Sequence, residues 1–308
     1  LFAFVLLGTA SVLADVTYTL HLDGVEQGIR NQIESSVAEA VGLYNQYGSF
    51  NKHLNISYTD WPGVTAEANF NGDIKFGSLR STRVTLHEMA HTMGCGTYWD
   101  WTNHMAGSWN GAYATAKIKE FDGGGALLYG DNWHFWPYGL NYDNEDSYIN
   151  RFRHVRLVAA MVADMGFLSF VREPSSQVLQ AGATAVFSVE VANTQSYAWY
   201  KQGNPNPLTN GGKISGATTN TLRITNVQAD DAGRYYCRIS GELSSRPASL
   251  VVPKAMGHWT FSNNTLDKLG INHGTMTGSP AYTTGRVGRT QIPALAQRER
   301  RDSSPRDL

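Results

Sequence analysis

Cysteine is scarce. The 308 residues hold two, Cys95 and Cys237, far apart and in dissimilar contexts. A disulfide-stapled scaffold and a cysteine-ligated zinc site are both excluded on that count. Charge is sparse too: 17% of residues are charged, 25 basic against 26 acidic. Six of the basic side chains fall within Arg286–Leu308, so the body of the chain is slightly acidic. That is the wrong balance for a nucleic-acid binder that works by neutralising phosphates. No segment after the first residues has 18 apolar residues in a row, so no membrane span is expected in the mature chain. No serine-hydrolase elbow is visible, and Gly123-Gly124-Gly125 lacks the lysine of a phosphate loop.

What is present begins with apolar side chains, 42% of the total, enough for large cores. The length predicts two or three domains. Leu1–Ala14 is an apolar run with a small residue at its end, followed by polar Asp15. It reads as a signal peptide (residues 1–14) whose methionine and basic front are missing from the sequence, and it predicts a secreted protein. A buried first strand is the plain alternative.

Val16–Leu22 alternates apolar and polar residues as a strand does. Ile29, Ile33, Val37, Ala40 and Val41 recur at helical spacing up to Gly48. Strands are expected at 54–58, 65–70 and 73–76, and a helix at about 82–93 stopped by Gly94 and Gly96. Residues 95–147 are rich in Gly, Trp, Tyr and Asn without a sustained period, and read as a long functional loop region. A helix at about 152–165 closes an α/β (α+β) domain over 15–169.

From Pro174 the pattern becomes short strands broken by Gly, Asn and Pro. Trp199, and Asp231-Ala-Gly-Arg-Tyr235-Tyr-Cys237, resemble strand C and the entry to strand F of an immunoglobulin-like domain. The resemblance covers about 172–253 and implies an all-β sandwich. Val189 occupies the position that usually holds the partner cysteine, so Cys237 is expected to be a buried free thiol. Residues 254–288, with Met256-Gly-His-Trp-Thr-Phe261 and His273-Gly-Thr-Met-Thr-Gly278, resemble the start of a LamG/concanavalin-like domain that breaks off into an incomplete β segment. Residues 289–308 read as a disordered basic tail.

The strongest chemical signal is His87-Glu88-Met89-Ala90-His91-Thr92-Met93-Gly94. Two histidines four apart share one helix face, so both imidazoles reach one ion, and Glu88 stands beside them to take a proton from water. A bare motif of this kind arises by chance in roughly one chain in a hundred of this length, and the added Gly makes it about tenfold rarer. The plain alternative is a helix with two partly exposed histidines.

The string resembles the metzincin branch of the zinc metallopeptidases, as does the strand, helix and strands order before it. The resemblance implies Zn2+ as cofactor, a protein or peptide substrate, and a third ligand three residues after the Gly. Here that position is Thr97, a poor zinc ligand. His134 is the favoured replacement, because the metzincin-like leishmanolysins also insert a long segment before their third His. His104 and Asp131 are the other candidates, and a two-ligand or degenerate site stays open. The methionine turn of metzincins is missing, since no Met lies between His134 and Phe152. Tyr138 or Tyr142 is placed in sequence to donate to an oxyanion, and Glu145 to accept from a ligand imidazole; packing is the alternative for each.

The expectation is therefore a secreted zinc endopeptidase, with His87, His91 and His134 on the metal, Glu88 as general base, and the aromatic segment 98–142 walling the cleft. A competing class is a secreted adhesion protein, binding glycan or cell-surface partners through its C-terminal domains, with a degenerate zincin domain. A metal-dependent hydrolase of a non-peptide bond is a third.

Overall fold

The computed structural model describes residues 15–253, 282–284 and 291–293. The expected signal peptide lies outside the described residues. So do the expected LamG-like fragment and tail, apart from Tyr282–Thr284 paired antiparallel with Gln291–Pro293. The described residues up to Val252 belong to one compact unit, and Pro253 falls in a second. No helix among the described residues is long and apolar enough to cross a membrane.

The first half is a mixed helix and strand layer. Strand β1 (Val16–His21) pairs in parallel with β2 (Lys52–Tyr58), and helix α1 (Gln27–Tyr47) makes the crossover. Strand β3 (Ala66–Ala68) runs antiparallel to β4 (Asp73–Phe76), which is parallel to β2. The order is β1-β2-β4-β3, so β3 is an edge.

Helix α1 starts because the Glu26 carboxylate accepts from Gly28 N at 2.8 Å and Ile29 N at 3.2 Å, satisfying otherwise orphaned amides. Its stripe Ile33, Val37, Ala40, Tyr44 is fully buried against Leu54, Ile56, Ile74 and Phe76 of the sheet. Each large side chain there contributes about 1.5–3 kcal/mol. Helix α2 (Thr82–Thr92) is capped by Ser81 Oγ and buries Leu86, Met89 and Ala90 in the same core. That packing turns Arg83, His87 and His91, at i, i+4 and i+8, toward the other side.

The segment read as one long loop has more structure than expected. It holds helix α3 (Trp101–His104), a ladder of β5 (Met105–Ala106) with β6 (Ser108–Trp109), helix α4 (Ala112–Asp122), and a ladder of β7 (Tyr129–Gly130) with β8 (Phe135–Trp136). Helix α4 buries Ala114, Lys117 and Ile118, and its first amides donate to Asp164. Asp164 lies at the end of helix α5 (Tyr148–Asp164), beyond the reach of local pattern reading. The aromatic residues here divide in two groups. Trp101 and Trp109 are buried in the core, while Trp99 and Trp133 are exposed.

A second core, with Phe170, Phe187, Trp199, Leu222, Tyr235 and Cys237 buried, belongs to an immunoglobulin-like β domain. One sheet holds β10 (Gln177–Val178), β18 (Ala248–Val251), β16 (Gly233–Ile239) and β13 (Tyr197–Lys201), with β17 (Leu243–Ser244) on β16. The other holds β11 (Ala185–Ser188), β15 (Thr221–Ile224) and β14 (Ile214–Ser215). Tyr235 donates its hydroxyl to Asp231 O at 2.6 Å, the corner bond that ties the entry of β16. Val189 is buried in the same core, and both Cys95 and Cys237 are buried and free.

The two parts share a polar and apolar seam. Strand β9 (Ser169–Arg172) follows α5 at once and pairs with β12 (Glu190–Ala192). Asn193 Nδ2 donates to Ala163 O at 2.9 Å and Phe167 O at 2.8 Å, closing the C-terminal end of α5. Glu173 accepts from Ser49 Oγ at 2.7 Å and Arg246 N at 2.8 Å, and Arg246 reaches Asp15 at 2.8 Å.

Candidate metal centre

His87, His91 and His134 come together, each offering one ligand atom within 4.8 Å of the others. The first two are fixed by the helix period of α2. The third arrives on the turn between β7 and β8, and Gly96 lets it approach. Gly96 has φ +70°, and a Cβ there would run into the backbone of Trp133, the residue before His134. Only glycine allows that contact.

Each imidazole is held from behind by an oxygen. His87 Nδ1–H donates to Gly139 O at 2.9 Å, and His91 Nδ1–H to Cys95 O at 2.7 Å. A carbonyl cannot donate, so the proton sits on Nδ1 in both rings and each Nε2 carries a lone pair. The two Nε2 atoms face one another 3.2 Å apart. His134 Nδ1 lies 3.3 Å from Asp131 Oδ2, which leaves its Nε2 as the free nitrogen. Asp131 Oδ1 accepts from Trp133 N at 2.8 Å and His134 N at 2.6 Å, fixing the turn that carries the ring. Burial pushes the Asp131 carboxyl up, and those N–H donors with the His134 ring outweigh it, for a net fall.

Burial, then the nearby His91, holds His87 down to about 3. Burial also lowers His91, against the bond to Cys95 O. Both rings are therefore neutral at neutral pH, the form a metal needs. Glu88 is 5% exposed and lines the same cleft, of about 400 Å³. Burial first, and Glu67 second, push its carboxyl up to about 7.

The other sequence candidates go elsewhere. His104 stacks on Trp109 with ring centroids 4.8 Å apart and bonds Asn110 at 2.8 Å, away from the triad. Asp131 stands behind His134 and is not a member of the cluster. Thr97 donates to His91 O, finishing the helix end. Tyr138 is buried with its hydroxyl on Asp122 at 2.7 Å, so it faces away from the cleft. Tyr142 is exposed and does not line it. Glu145 accepts from Asn141 N at 2.6 Å and from no imidazole. The segment expected to wall the cleft supplies Trp133, His134 and Asn141; the opposite wall is β3, with Leu79. The sequence reading missed Gly139 and Cys95 as orienting groups, because a backbone carbonyl leaves no letter to read.

Residues 169–240 match the family model of the immunoglobulin domain. Among solved structures, titin domain I81 is 23% identical over 28% of this chain and 97% of its own, with a TM-score of 0.24. The tandem Ig repeats of Dlar are 22% identical over 29% of this chain and 49% of theirs, at 0.26. The twitchin kinase region from C. elegans is 22% identical over 30% and 17%, at 0.25. No curated protein matches the chain.

Proposed function

We propose that the chain is a secreted, zinc-dependent endopeptidase of metzincin-like type that carries an immunoglobulin-like domain. The observation that carries the reading is the pair of unprotonated Nε2 atoms facing each other at 3.2 Å, with a third imidazole beside them. Two lone pairs at that distance repel unless a cation lies between them. Two nitrogens on one tetrahedral zinc, each about 2.0–2.1 Å from it, lie about 3.3–3.4 Å apart. Three imidazoles with no fourth protein ligand among the described residues suit a catalytic zinc with an open position better than a closed structural one.

His87, His91 and His134 would hold the ion, and Gly139 O, Cys95 O and Asp131 would keep their rings turned toward it. A bound zinc supplies Lewis-acid polarisation of a carbonyl and acidifies water. Glu88, buried in the same cleft with a pKa near neutrality, is suited to take the proton of the attacking water and return it to the leaving amine. The edge of β3 offers backbone donors and acceptors along the cleft, which fits an extended peptide better than a compact small molecule. The apolar Leu1–Ala14 supports export.

The immunoglobulin-like domain favours a second reading, a secreted binding protein with an inactive metal domain, since such domains commonly mediate protein contacts. Glu88 separates the two. A carboxyl that lines the cleft beside both imidazoles, pushed up to about 7 by burial, is suited to proton transfer and serves no purpose in a purely structural site.

Casein hydrolysis by the full chain tests the proposal. Activity is expected to vanish on chelation and return with one equivalent of zinc. A chain that binds zinc and cleaves no unstructured protein would move the binding-protein reading ahead.

A further inference from the structure

Gly139, which holds His87 through its carbonyl, sits between two residues in unfavourable backbone conformations. Tyr138 has φ 69° and Leu140 φ 57°, in the left-handed region that side chains other than Gly, Asn and Asp seldom adopt. Such conformations persist only where the surroundings over-determine them. Here they are gripped from both sides. His154, fully buried on α5, has Nδ1 2.7 Å from Tyr138 O and Nε2 2.9 Å from Leu86 O on α2. Arg83 Nη1 donates to Leu140 O at 2.7 Å and Asn141 O at 3.2 Å. Asn141 Nδ2 closes the loop on Phe135 O at 2.9 Å.

Arg83 is 6% exposed and stands one turn before His87 on the same face of α2. The helix therefore fixes both ends of a short circuit. Arg83 captures the loop, and the loop returns Gly139 O to His87 2.9 Å away. Its Nε is held in turn by Asp143 at 2.7 Å, whose side chain is 91% exposed. We infer that Arg83 is a positioning residue of the metal site, acting through the backbone of 138–141 to fix the tautomer and the direction of the His87 ring. The inference rests on the zinc reading above. A planar fork that reaches two successive carbonyls and a carboxylate is a task for arginine, and a lysine ammonium does not reproduce it.

The test uses the full chain and two substitutions, Arg83→Lys and Asp143→Ala. Zinc affinity is read by competition with a chromophoric chelator, coordination by the visible absorption of the Co2+-loaded protein, and folding by melting of the metal-free form. Arg83→Lys should lose about 10–100-fold in zinc affinity, the usual effect of removing a group that orients a ligand, and should alter the Co2+ spectrum. Asp143→Ala should lose less, in the same direction, with the metal-free form still folded because Asp143 itself is exposed. Unchanged affinity and spectrum in a folded Arg83→Lys would overturn the inference. If Arg83→Lys fails to fold, unchanged affinity in Asp143→Ala overturns it instead. A wild type that binds neither zinc nor cobalt fails at an earlier point, and takes the zinc reading down with it.

Discussion

Three imidazoles, three oxygens behind them and one buried carboxyl form the candidate site among the described residues. Of these, His87, Glu88 and His91 were legible from spacing alone, because a helical period of 3.6 dictates which residues share a face. His134, His104 and Asp131 were open alternatives. Spacing says nothing about which of three loop residues returns to the helix, and a glycine such as Gly96 admits one of them by having no side chain. At this scale His134→Ala should lower zinc affinity at least about a hundredfold, while Asp131→Ala, which leaves the imidazole but frees its ring, should cost about tenfold. Isothermal titration with zinc in a competing buffer checks both. Equal losses would mean that Asp131 binds the metal itself.

The elements that were read correctly from sequence, β1, α1, β2, β4, α2 and the bulk of α5, are those with long regular patterns and caps. Helix α4 was missed. Its apolar face is Ala114, Ile118 and Phe121, and its start depends on Asp164, some fifty positions away. Asp164 accepts from Tyr113 N at 2.8 Å, Ala114 N at 2.9 Å and Trp109 Nε1 at 2.8 Å, so one carboxylate caps a helix and satisfies a buried indole. Asp164→Ala should therefore destabilise the fold by about 2–4 kcal/mol, more than an ordinary cap, because two kinds of donor lose their acceptor. Urea unfolding followed by tryptophan fluorescence measures it, and a cost under about 1 kcal/mol would show that water replaces the carboxylate.

Residues 15–252 are less modular than two domains joined by a linker would be. The immunoglobulin-like signature was legible because Trp199, Tyr235 and Cys237 stand at fixed places in one sheet. The seam was not, since Ser49, Glu173 and Arg246 carry no local pattern. Burial pushes the Glu173 carboxyl up, partly offset by Ser49 and the Arg246 amide. A folded-state pKa above the unfolded value means that the native state binds the proton more tightly. Stability from this group is thus complete below about pH 4.5 and falls as pH rises through the raised value. Glu173→Gln should flatten that fall, because an amide still accepts from Arg246 N and donates to Ser49. Thermal melts between pH 4 and 8 check this, and a variant whose melting tracks the wild type across that range would place the titration elsewhere. The central claim, that Glu88 moves the proton in a zinc-dependent cleavage of peptide bonds, is tested most directly by casein hydrolysis with wild type and Glu88→Gln, zinc content being measured on the same samples. The account predicts equal zinc and a rate lower by at least about a hundredfold in the variant. Equal rates at equal zinc would contradict it.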